Sequence, residues 1–369
     1  MPRFSRRSFL HLSAAASAVA AFHGMSEPML AAAARRRPHA KDAVLIDSNE
    51  NPLGPCQGAR DAVSAIIPQG GRYSDNLTDD LVSTFVQQEG LNPDFVYCTP
   101  GSTPPLSLSV LAFTSPQKSY VTADPSFETG MMMAAVAGAR VIKVPLTKTY
   151  AHDAKAMVAA GPDAGVFYIC NPNNPTGTLT SHSDIEYVVA NKPKDSIVLI
   201  DEAYIHLSEA PSALDLVKAG KDVIVLRTFS KVYGMAGLRC GFVIARPDLL
   251  EKVISRGGQN FMPTTAIVAA TASLKDPALV SERRRINAGI RQQTFQWLDR
   301  NGYSYIPSES NCFLLDTKRP GKEVRDAMAS ENVLIGRVWP VMPTYVRITV
   351  GTQEEMERFQ AAFQKVMKA

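Results

Sequence analysis

The sequence predicts an α/β fold built on a mostly parallel sheet, followed by a smaller C-terminal α+β region. The first observation is that short β-rich runs alternate with helical stretches from about residue 95 to residue 245. This alternation implies βαβ units, whose sheet is covered by helices on both faces. The second is that the pattern changes after Pro263 to a long helix and several short strands. The third is a composition of 45% hydrophobic and 20% charged residues, which is ordinary for a globular protein.

The individual elements follow from residue type and from the turn residues that bound each run. Strands are predicted at Phe95–Cys98, Ser119–Thr122, Val141–Pro145, Gly165–Cys170, Ile197–Ile200, Val223–Arg227 and Cys240–Ala245. A helix is predicted over Asp276–Asn301. Short strands should follow at Tyr303–Ile306, Cys312–Leu315, Val333–Ile335 and Tyr345–Val350. The last predicted helix, Thr352–Met367, opens with Thr-x-x-Glu, which is typical of a capping box.

Charge and cysteine content narrow the classes of partner. The net charge of +4 includes several arginines near the N-terminus, namely Arg3, Arg6, Arg7, Arg35, Arg36 and Arg37. The remainder is close to neutral, so composition gives no reason to expect a nucleic-acid partner. The five cysteines stand singly, without a C-x-x-C pair, which argues against both a zinc site and a disulfide framework. We therefore predict no metal site and interpret the cysteines as small core residues.

The N-terminus resembles a twin-arginine export signal. Ser5-Arg6-Arg7-Ser8-Phe9-Leu10 precedes a weakly apolar run, Leu12–Phe22, and Ala31-Ala32-Ala33 offers small residues for cleavage. This run is shorter than the ~20 residues of a spanning helix, so no stable membrane span is predicted. An arginine-flanked surface helix or a short anchor is the alternative. We expect residues 1–34 to be the signal and the protein to be periplasmic or otherwise exported.

Two turns at predicted strand ends are candidates for ligand binding, because ligands of open α/β sheets gather at the carboxyl ends of the strands. Thr99-Pro100-Gly101-Ser102-Thr103 lies between a strand and a probable helix. Free N–H groups at a helix start form a phosphate cradle, although capping by Ser102 or Thr103 explains the pattern equally well. Asn171-Pro172-Asn173-Asn174-Pro175-Thr176-Gly177 fixes a turn that aims an amide over the sheet edge, unless it is a turn without function.

Two further strand ends carry charged groups. Asp201 ends a buried strand and needs a cation or a strong donor, since a buried unpaired carboxylate is costly; a helix N-cap is its alternative role. Lys231, in Thr228-Phe229-Ser230-Lys231, precedes Arg239 by eight positions. Like-charge repulsion from Arg239 could lower the pKa of Lys231 and make it an amine nucleophile. A solvated surface lysine is the alternative.

Together these motifs resemble the fold-type I aminotransferases that use pyridoxal 5′-phosphate (PLP), specifically the histidinol-phosphate aminotransferase branch of class I and II. The similarity extends from Asn49-Glu50-Asn51-Pro52-Leu53-Gly54 to Arg347-Ile348-Thr349-Val350-Gly351. The resemblance implies a large PLP-binding domain over residues 71–262 and a small domain over 263–369, with residues 35–70 packing on the small domain. The residues that carry it, in chain order, are Asn174, Asp201, Tyr204, Ser230, Lys231 and Arg239.

The resemblance implies catalytic roles for Lys231, Asp201 and Tyr204. Lys231 would carry PLP as a Schiff base and then move the proton from the substrate Cα as general acid/base. Asp201 would pair with the protonated pyridine nitrogen. Asn174 and Tyr204 would hydrogen-bond the phenolic oxygen of the cofactor. Phe127 would stack on the ring, at a position where the family usually has tyrosine.

The resemblance also implies residues for the cofactor phosphate and the substrate. Arg239, Ser230, Ser102 and Thr103 would hold the phosphate. Asn51, Arg337 and Arg347 would bind the substrate, with Arg347 clamping its α-carboxylate. Tyr73 would reach the phosphate of a neighbouring subunit, which implies a homodimer with shared active sites. These eight residues complete the predicted site.

The chain departs from the family pattern in ways that bear on its substrate. Thr103-Pro104 replaces an acidic residue near the phosphate, and Val338-Trp339-Pro340-Val341-Met342-Pro343 is apolar. If Trp339 and Met342 line the pocket, they favour aromatic or long apolar groups. Export would also separate the protein from phosphorylated cytoplasmic intermediates. We therefore expect an unphosphorylated amino acid, with a 2-oxo acid as its partner.

Two alternatives remain for the function. One is a PLP-dependent decarboxylase or lyase on the same scaffold, such as a relative of threonine-phosphate decarboxylase. The other is an exported binding or regulatory protein that retains the fold, which the presence of Lys231, Asp201 and Arg347 disfavours.

Overall fold

The computed structural model describes residues 40–73, 75–257 and 262–368. From Asp42 onward the chain forms one compact unit. The predicted export signal, residues 1–34, lies outside the described residues. Within the described ranges, no helix combines the length and the apolar character needed to cross a membrane.

A seven-stranded sheet dominates the described part of the chain. After β1 (Val44–Ile46), its strands are β2 (Val96–Thr99), β3 (Ser119–Asp124), β4 (Val141–Pro145), β5 (Ala164–Cys170), β6 (Ile197–Asp201), β7 (Val223–Thr228) and β8 (Gly241–Ile244). Their order is β2-β8-β7-β6-β5-β3-β4, and in this sheet only the pairings of β8 are antiparallel. All seven predicted strands and the mostly parallel sheet are confirmed, with ends that move by at most two residues.

Helices cover both faces of this sheet, as predicted. The described helices are α1 (Gln57–Ile66), α2 (Asp75–Glu89), α3 (Thr103–Phe113), α4 (Thr129–Val136), α5 (Ala154–Ala160), α6 (His182–Asn191), α7 (Leu214–Lys218), α8 (Pro247–Ile254), α9 (Thr264–Leu274), α10 (Leu279–Arg300), α11 (Gly321–Ser330) and α12 (Gln353–Lys368). Along β5, Phe167 and Ile169 join one apolar cluster, whereas Val166 and Tyr168 join the cluster on the other face. This alternation is the two-residue period of a strand that is buried on both sides.

The C-terminal region forms a second core. Strands β9 (Ser304–Tyr305), β10 (Cys312–Asp316) and β12 (Tyr345–Thr349) make an antiparallel sheet, while β11 (Val333–Ile335) pairs in parallel with β1. The predicted capping box is confirmed: the Thr352 N–H donates to Glu355 Oε2 at 2.7 Å, and the Glu355 N–H donates to Thr352 Oγ1 at 3.2 Å. Helix α12 then contributes Phe359 and Phe363 to this core.

Hydrophobic contacts show how segments are shared between the two cores. Val44 and Ile46 of β1 belong to the C-terminal core, but Ala266 and Ile267 of α9 belong to the core of the large sheet. The predicted domain boundaries stay predictions, and these contacts group α9 with the large sheet. The five cysteines, all within the described residues, are free and buried, so their interpretation as core residues is confirmed.

Candidate active site

The sheet topology brings the four sequence motifs to one edge. Strands β5, β6 and β7 are adjacent and parallel, so their carboxyl ends lie side by side. Strand β8 runs the other way, and its Gly241 is paired with both Thr99 of β2 and Thr228 of β7. The turn after Thr99 therefore lies beside the turn that contains Lys231. The two turns are more than a hundred residues apart in sequence, so the sequence alone did not indicate that they are neighbours.

Lys231 is partly buried, and its amine is held from two sides. Its Nζ donates to the Asn49 carbonyl oxygen at 2.9 Å and lies 5.2 Å from the centroid of the Tyr204 ring. Burial, and after it the positive charge of Arg347, lower the pKa of Lys231 to about 8. An amine with this pKa is partly neutral near pH 8, which is the state that can act as nucleophile or base. A solvated surface lysine is therefore not what the structure shows.

Arg239 contacts the turn of residues 99–103, called here the phosphate-type turn. It is not among the groups that lower the pKa of Lys231. Its Nη2 donates to the Pro100 carbonyl at 3.0 Å, and its Nη1 approaches Ser230 Oγ at 3.3 Å. The hypothesis that Arg239 lowers the pKa of Lys231 was wrong, because the main causes are burial and Arg347. Gly101 has φ +89°, and a Cβ added there would collide with the Arg239 guanidinium. The turn thus requires glycine both for its backbone conformation and for close approach.

The start of helix α3 fits an anion. Ser102 precedes the helix, and within the described chain its side chain makes no capping hydrogen bond, so the capping interpretation is not supported for Ser102. Thr103, the first helical residue, is exposed. Ser230 Oγ accepts a hydrogen bond from Thr228 Oγ1 at 2.8 Å on the facing turn. Free helix N–H groups, hydroxyls and the Arg239 guanidinium together form a site suited to a phosphate.

Asp201 is a buried carboxylate with uncharged donors. Its Oδ2 accepts from the Tyr168 hydroxyl at 3.0 Å, and its Oδ1 accepts from the Ala203 N–H at 3.1 Å. The N–H lies two residues on, so Asp201 makes a turn and is not a helix N-cap. Burial raises the pKa of Asp201 to about 6. A cationic ring nitrogen would supply the counter-charge that a buried carboxylate requires.

Asn49 is a site residue that sequence reasoning missed. It is 1% exposed and has φ 53°, a conformation that asparagine tolerates better than most residues. Its Nδ2 donates to the Tyr204 hydroxyl at 3.0 Å, and its carbonyl accepts from both Lys231 and Asn311 Nδ2. The Asn-Glu-Asn-Pro run after β1 was the available signal, although the sequence interpretation used it only to delimit the family resemblance.

Arg347 connects the predicted cofactor and substrate regions. Its Nη1 donates to Asn174 Oδ1 at 3.0 Å, and its Nη2 donates to the Asp47 carbonyl at 2.5 Å. It is 4% exposed, and its Nε is buried without a hydrogen-bond partner among the described residues. Both acceptors are neutral, so a substrate carboxylate would supply the missing negative charge. Since Arg347 occupies the amide oxygen of Asn174, the amide nitrogen is the end suited to donate to the cofactor.

Arg337, by contrast, pairs with a carboxylate of this chain. Its Nη2 forms an ion pair with Glu128, another residue that sequence reasoning missed. The Arg337 guanidinium carbon lies 4.5 Å from the centroid of the Trp339 ring, and that of Arg347 lies 5.7 Å from the same centroid. Trp339 therefore contacts both arginines of the predicted substrate site.

The turn before Glu128 is fixed at the sheet edge. Ser126 Oγ donates to Asn173 Oδ1 at 2.9 Å, and Asn173 Nδ2 donates to the Pro125 carbonyl at 3.1 Å. Phe127 is partly buried and packs against the apolar cluster that contains Tyr168. These contacts place Phe127 next to the face of the sheet that carries Tyr168, the partner of Asp201.

Two predicted residues lie at the periphery. Asn51 donates through Nδ2 to the Val232 carbonyl at 3.0 Å and lines a cavity together with Lys231. Tyr73 is 85% exposed, so its predicted contact with a neighbouring subunit stays a prediction.

An open α/β sheet with a lysine, a carboxylate and a phosphate-type turn at one edge defines a PLP-transferase type of enzyme. Residues 41–363 match the family of aminotransferases of class I and II, and the chain belongs to this family. It is 33% identical over 338 residues to a histidinol-phosphate aminotransferase of Moorella thermoacetica, covering 89% of this chain and 86% of that protein. It is also 33% identical over 334 residues to an aromatic amino acid aminotransferase of Cutibacterium acnes, covering 89% and 94%.

The fold agrees with a solved member of the same group. A histidinol-phosphate aminotransferase of Sinorhizobium meliloti, crystallised with PLP, has a TM-score of 0.81 at 24% identity, covering 93% of this chain and 95% of that one. The family is PLP-dependent, and PLP is the cofactor of this enzyme. Three features of the site fit PLP. They are the buried Asp201, the close approach of Gly101 to the Arg239 guanidinium, and the lowered pKa of Lys231.

Proposed function

We propose that the residues around Lys231 move an amino group between an α-amino acid and a 2-oxo acid. The observation that carries this proposal is the coupling between Lys231 and Arg347. Arg347 is buried, keeps an unpartnered Nε among the described residues, and lowers the pKa of Lys231. A group that binds a carboxylate thus lies close enough to act on the amine, as an α-amino acid requires.

The residues at the sheet edge would hold PLP in a defined orientation. Asp201 would accept from the ring nitrogen, and Arg239 with Ser230 and the turn at Ser102-Thr103 would bind the phosphate. Asn174 and Tyr204 would hydrogen-bond the phenolic oxygen, and Phe127 would pack against the ring. When bound, PLP supplies an electron-withdrawing ring that stabilises negative charge on the substrate Cα.

Lys231 then acts on protons as a base and an acid. With a pKa of about 8, its amine can take a proton from the substrate Cα as a base and donate it again as an acid in a later step. The Asn49 carbonyl at 2.9 Å orients the amine. Arg347 holds the α-carboxylate, so the Cα–H bond faces the amine in a fixed direction.

A half-reaction screen tests the proposed function. Individual amino acids are added to the PLP-loaded protein, and the cofactor spectrum is followed together with the 2-oxo acid product. We expect a stoichiometric spectral change and one equivalent of 2-oxo acid. Release of carbon dioxide without a 2-oxo acid would assign the chain to the decarboxylase alternative, and no spectral change with any amino acid would favour the binding-protein alternative.

We also propose a homodimer with shared active sites. Tyr73 is 85% exposed, which suits a side chain that functions against a second copy. Mixing Lys231→Ala with Tyr73→Ala subunits should form hybrids with one intact site, giving about a quarter of the wild-type activity at random exchange. Absence of any recovery after proven subunit exchange would contradict shared sites.

Export through the twin-arginine pathway is a separate proposal. Arg6-Arg7 and the alanines at residues 31–34 support it. Replacing Arg6 and Arg7 together by lysine should retain the protein in the cytoplasm, as measured by cell fractionation. Equal export of the double-lysine variant would contradict the assignment.

For the substrate we propose an unphosphorylated amino acid with an aromatic or long apolar side chain. The two curated relatives reported above have different names at the same identity, so identity alone does not decide between them. Trp339 is 2% exposed and packs with Ile306 and Leu314, beside the partly buried Met342. We expect such an amino acid to react faster than histidinol phosphate in direct comparison. A strong preference for histidinol phosphate would contradict this proposal.

A further inference from the structure

The ion pair between Glu128 and Arg337 has a consequence for selectivity. We propose that Glu128 is a specificity-determining residue that cancels the charge of Arg337, so that the site favours amino acids with an uncharged side chain. Substrates that carry a phosphate or another dianion on the side chain are disfavoured. The inference rests on the proposed function, because it needs Arg347 to bind the α-carboxylate.

The two arginines beside Trp339 differ in what they can offer a substrate. Arg347 bonds to neutral acceptors, the Asn174 amide and the Asp47 carbonyl, and therefore keeps its full positive charge. Arg337 is paired with the carboxylate of Glu128. Both guanidinium groups lie within 6 Å of one indole ring, at 5.7 and 4.5 Å. This part of the site thus presents one net positive charge, enough for one carboxylate.

The Glu128–Arg337 pair is shielded from solvent. The two side chains are 16% and 15% exposed, so water and salt screen the pair less than an exposed ion pair. A dianion would have to displace Glu128 or lie beside its carboxylate. Either event is unfavourable, since breaking a buried pair leaves a charge uncompensated and like charges repel.

Glu128 is also held in place by its backbone. Its turn is fixed to the neighbouring turn through Ser126 and Asn173, at hydrogen-bond distances of 2.9 and 3.1 Å. Glu128 lies directly before helix α4 (Thr129–Val136), where the helix dipole favours a negative charge. The carboxylate is therefore a fixed feature of the site and not a side chain that a substrate sweeps aside.

The surroundings of the pair suit an aromatic group. Trp339 is buried with Ile306 and Leu314, and its Nε1 has no hydrogen-bond partner in the described part of the chain. Tyr150 and Tyr345 pack on the same small cluster. An apolar cluster behind an arginine that is already paired provides no further charge for a side-chain anion, which favours an uncharged group at this position.

Two acids of the same chain length test the inference without turnover. The PLP-loaded wild-type protein and Glu128→Gln are titrated by calorimetry with 3-phenylpropionate and 3-phosphonopropionate, which lack an amine and share a carboxylate for Arg347. We expect the wild type to bind 3-phenylpropionate more tightly. In Glu128→Gln, the carboxylate that offsets the charge of Arg337 is removed, so affinity for 3-phosphonopropionate should rise about 10-fold or more. Affinity for 3-phenylpropionate should change by less than about 3-fold, since its ring touches no charge that the variant alters.

Three further variants separate charge from structure. Glu209→Gln removes an equal charge from the exposed pair with Arg284 and should leave both affinities unchanged. Glu128→Asp keeps the charge and should keep the wild-type selectivity. Adding Arg337→Gln to Glu128→Gln should abolish the gain for the phosphonate, because the positive charge that attracts it is removed as well.

The outcomes distinguish this inference from the proposed function. If amino acids transfer their amino group but the wild type prefers the phosphonate, or Glu128→Gln leaves the affinity ratio unchanged, the role of Glu128 is wrong and the function stands. If no amino acid reacts in the half-reaction screen, the proposed function itself fails. Thermal unfolding of each variant shows whether it is folded, and an unfolded Glu128→Gln is replaced by Glu128→Ser in the same comparison.

Discussion

Two regions of this protein hold their polar residues in different ways. At the cofactor edge, formed by residues 99–103 and 201–239, several residues also bond within their own turn: Asp201 to the Ala203 N–H, Ser230 to Thr228 and Arg239 to the Ala236 carbonyl. In the proposed substrate wall, formed by Glu128, Arg337, Trp339 and Arg347, the two arginines bond to groups that are 173 to 300 positions away in sequence. The residues of the cofactor edge thus lie in short motifs that also bond locally, whereas the charge balance of the proposed substrate wall depends entirely on distant segments.

The largest expected effect is at the cofactor edge. Lys231→Ala should reduce turnover on the order of 10⁴-fold, because the amine is proposed to be both the anchor and the proton carrier. The fold should survive, as far-UV circular dichroism and thermal unfolding would show. Lys218→Ala, an exposed lysine on α7, is the matched control and should keep full activity. Borohydride reduction of the wild type should leave the cofactor on Lys231, and an adduct on another lysine would overturn the assignment.

Next in size is an effect at the substrate wall. Arg347→Ala should cost about 2–5 kcal/mol of transition-state stabilisation, because a buried charged partner is lost. Since Arg347 is proposed to bind the carboxylate that all α-amino acids share, kcat/KM should fall by a similar factor for each of them. Arg347→Lys should recover little, because lysine cannot form the paired hydrogen bonds. A loss confined to one class of side chain would place Arg347 in side-chain recognition and break the comparison.

Asp201 should make the cofactor-free protein sensitive to pH. Its pKa is raised from an ordinary value of 3.8 to about 6, so the folded state binds a proton more tightly than the unfolded chain. The free energy of unfolding should therefore fall as the pH rises from about 4 to about 6, by on the order of 3 kcal/mol. Denaturant titration of the wild type against Asp201→Asn measures the difference. Parallel pH profiles for the two proteins would mean that burial of Asp201 does not perturb its titration.

The smallest expected effect is that of Arg347, in the substrate wall, on the pKa of Lys231, at the cofactor edge. Acetylation of Lys231 in the cofactor-free protein, followed by mass spectrometry across pH, should be half-maximal near pH 8, the pKa of the amine. Arg347→Ala removes a positive charge and should raise this pKa. Arg239→Ala should leave it unchanged, because Arg239 contacts the phosphate-type turn. A shift in Arg239→Ala alone would restore the hypothesis that the sequence suggested.

The sequence by itself determined strands β2 to β12, the two C-terminal helices α10 and α12, and the motifs at the strand ends; strand β1 was not predicted. These features depend on residue type and on short-range period, as in β4 (Val141–Pro145) and in the capping box at Thr352. Lys231 and Asp201 could be recognised for the same reason, since Asp201 ends one predicted buried strand and Lys231 lies in the turn that follows another.

The tertiary structure alone decided which groups act on each other. Tyr168 reads as a core residue of β5 in the sequence, and only the packing of β5 beside β6 brings its hydroxyl to Asp201 at 3.0 Å. Arg239 is near Lys231 in sequence, yet the pKa of Lys231 is lowered by burial and by Arg347, which is more than a hundred positions away. Electrostatic and hydrogen-bond energies depend on distance in space and on burial, and neither quantity is written in the spacing of residues along the chain.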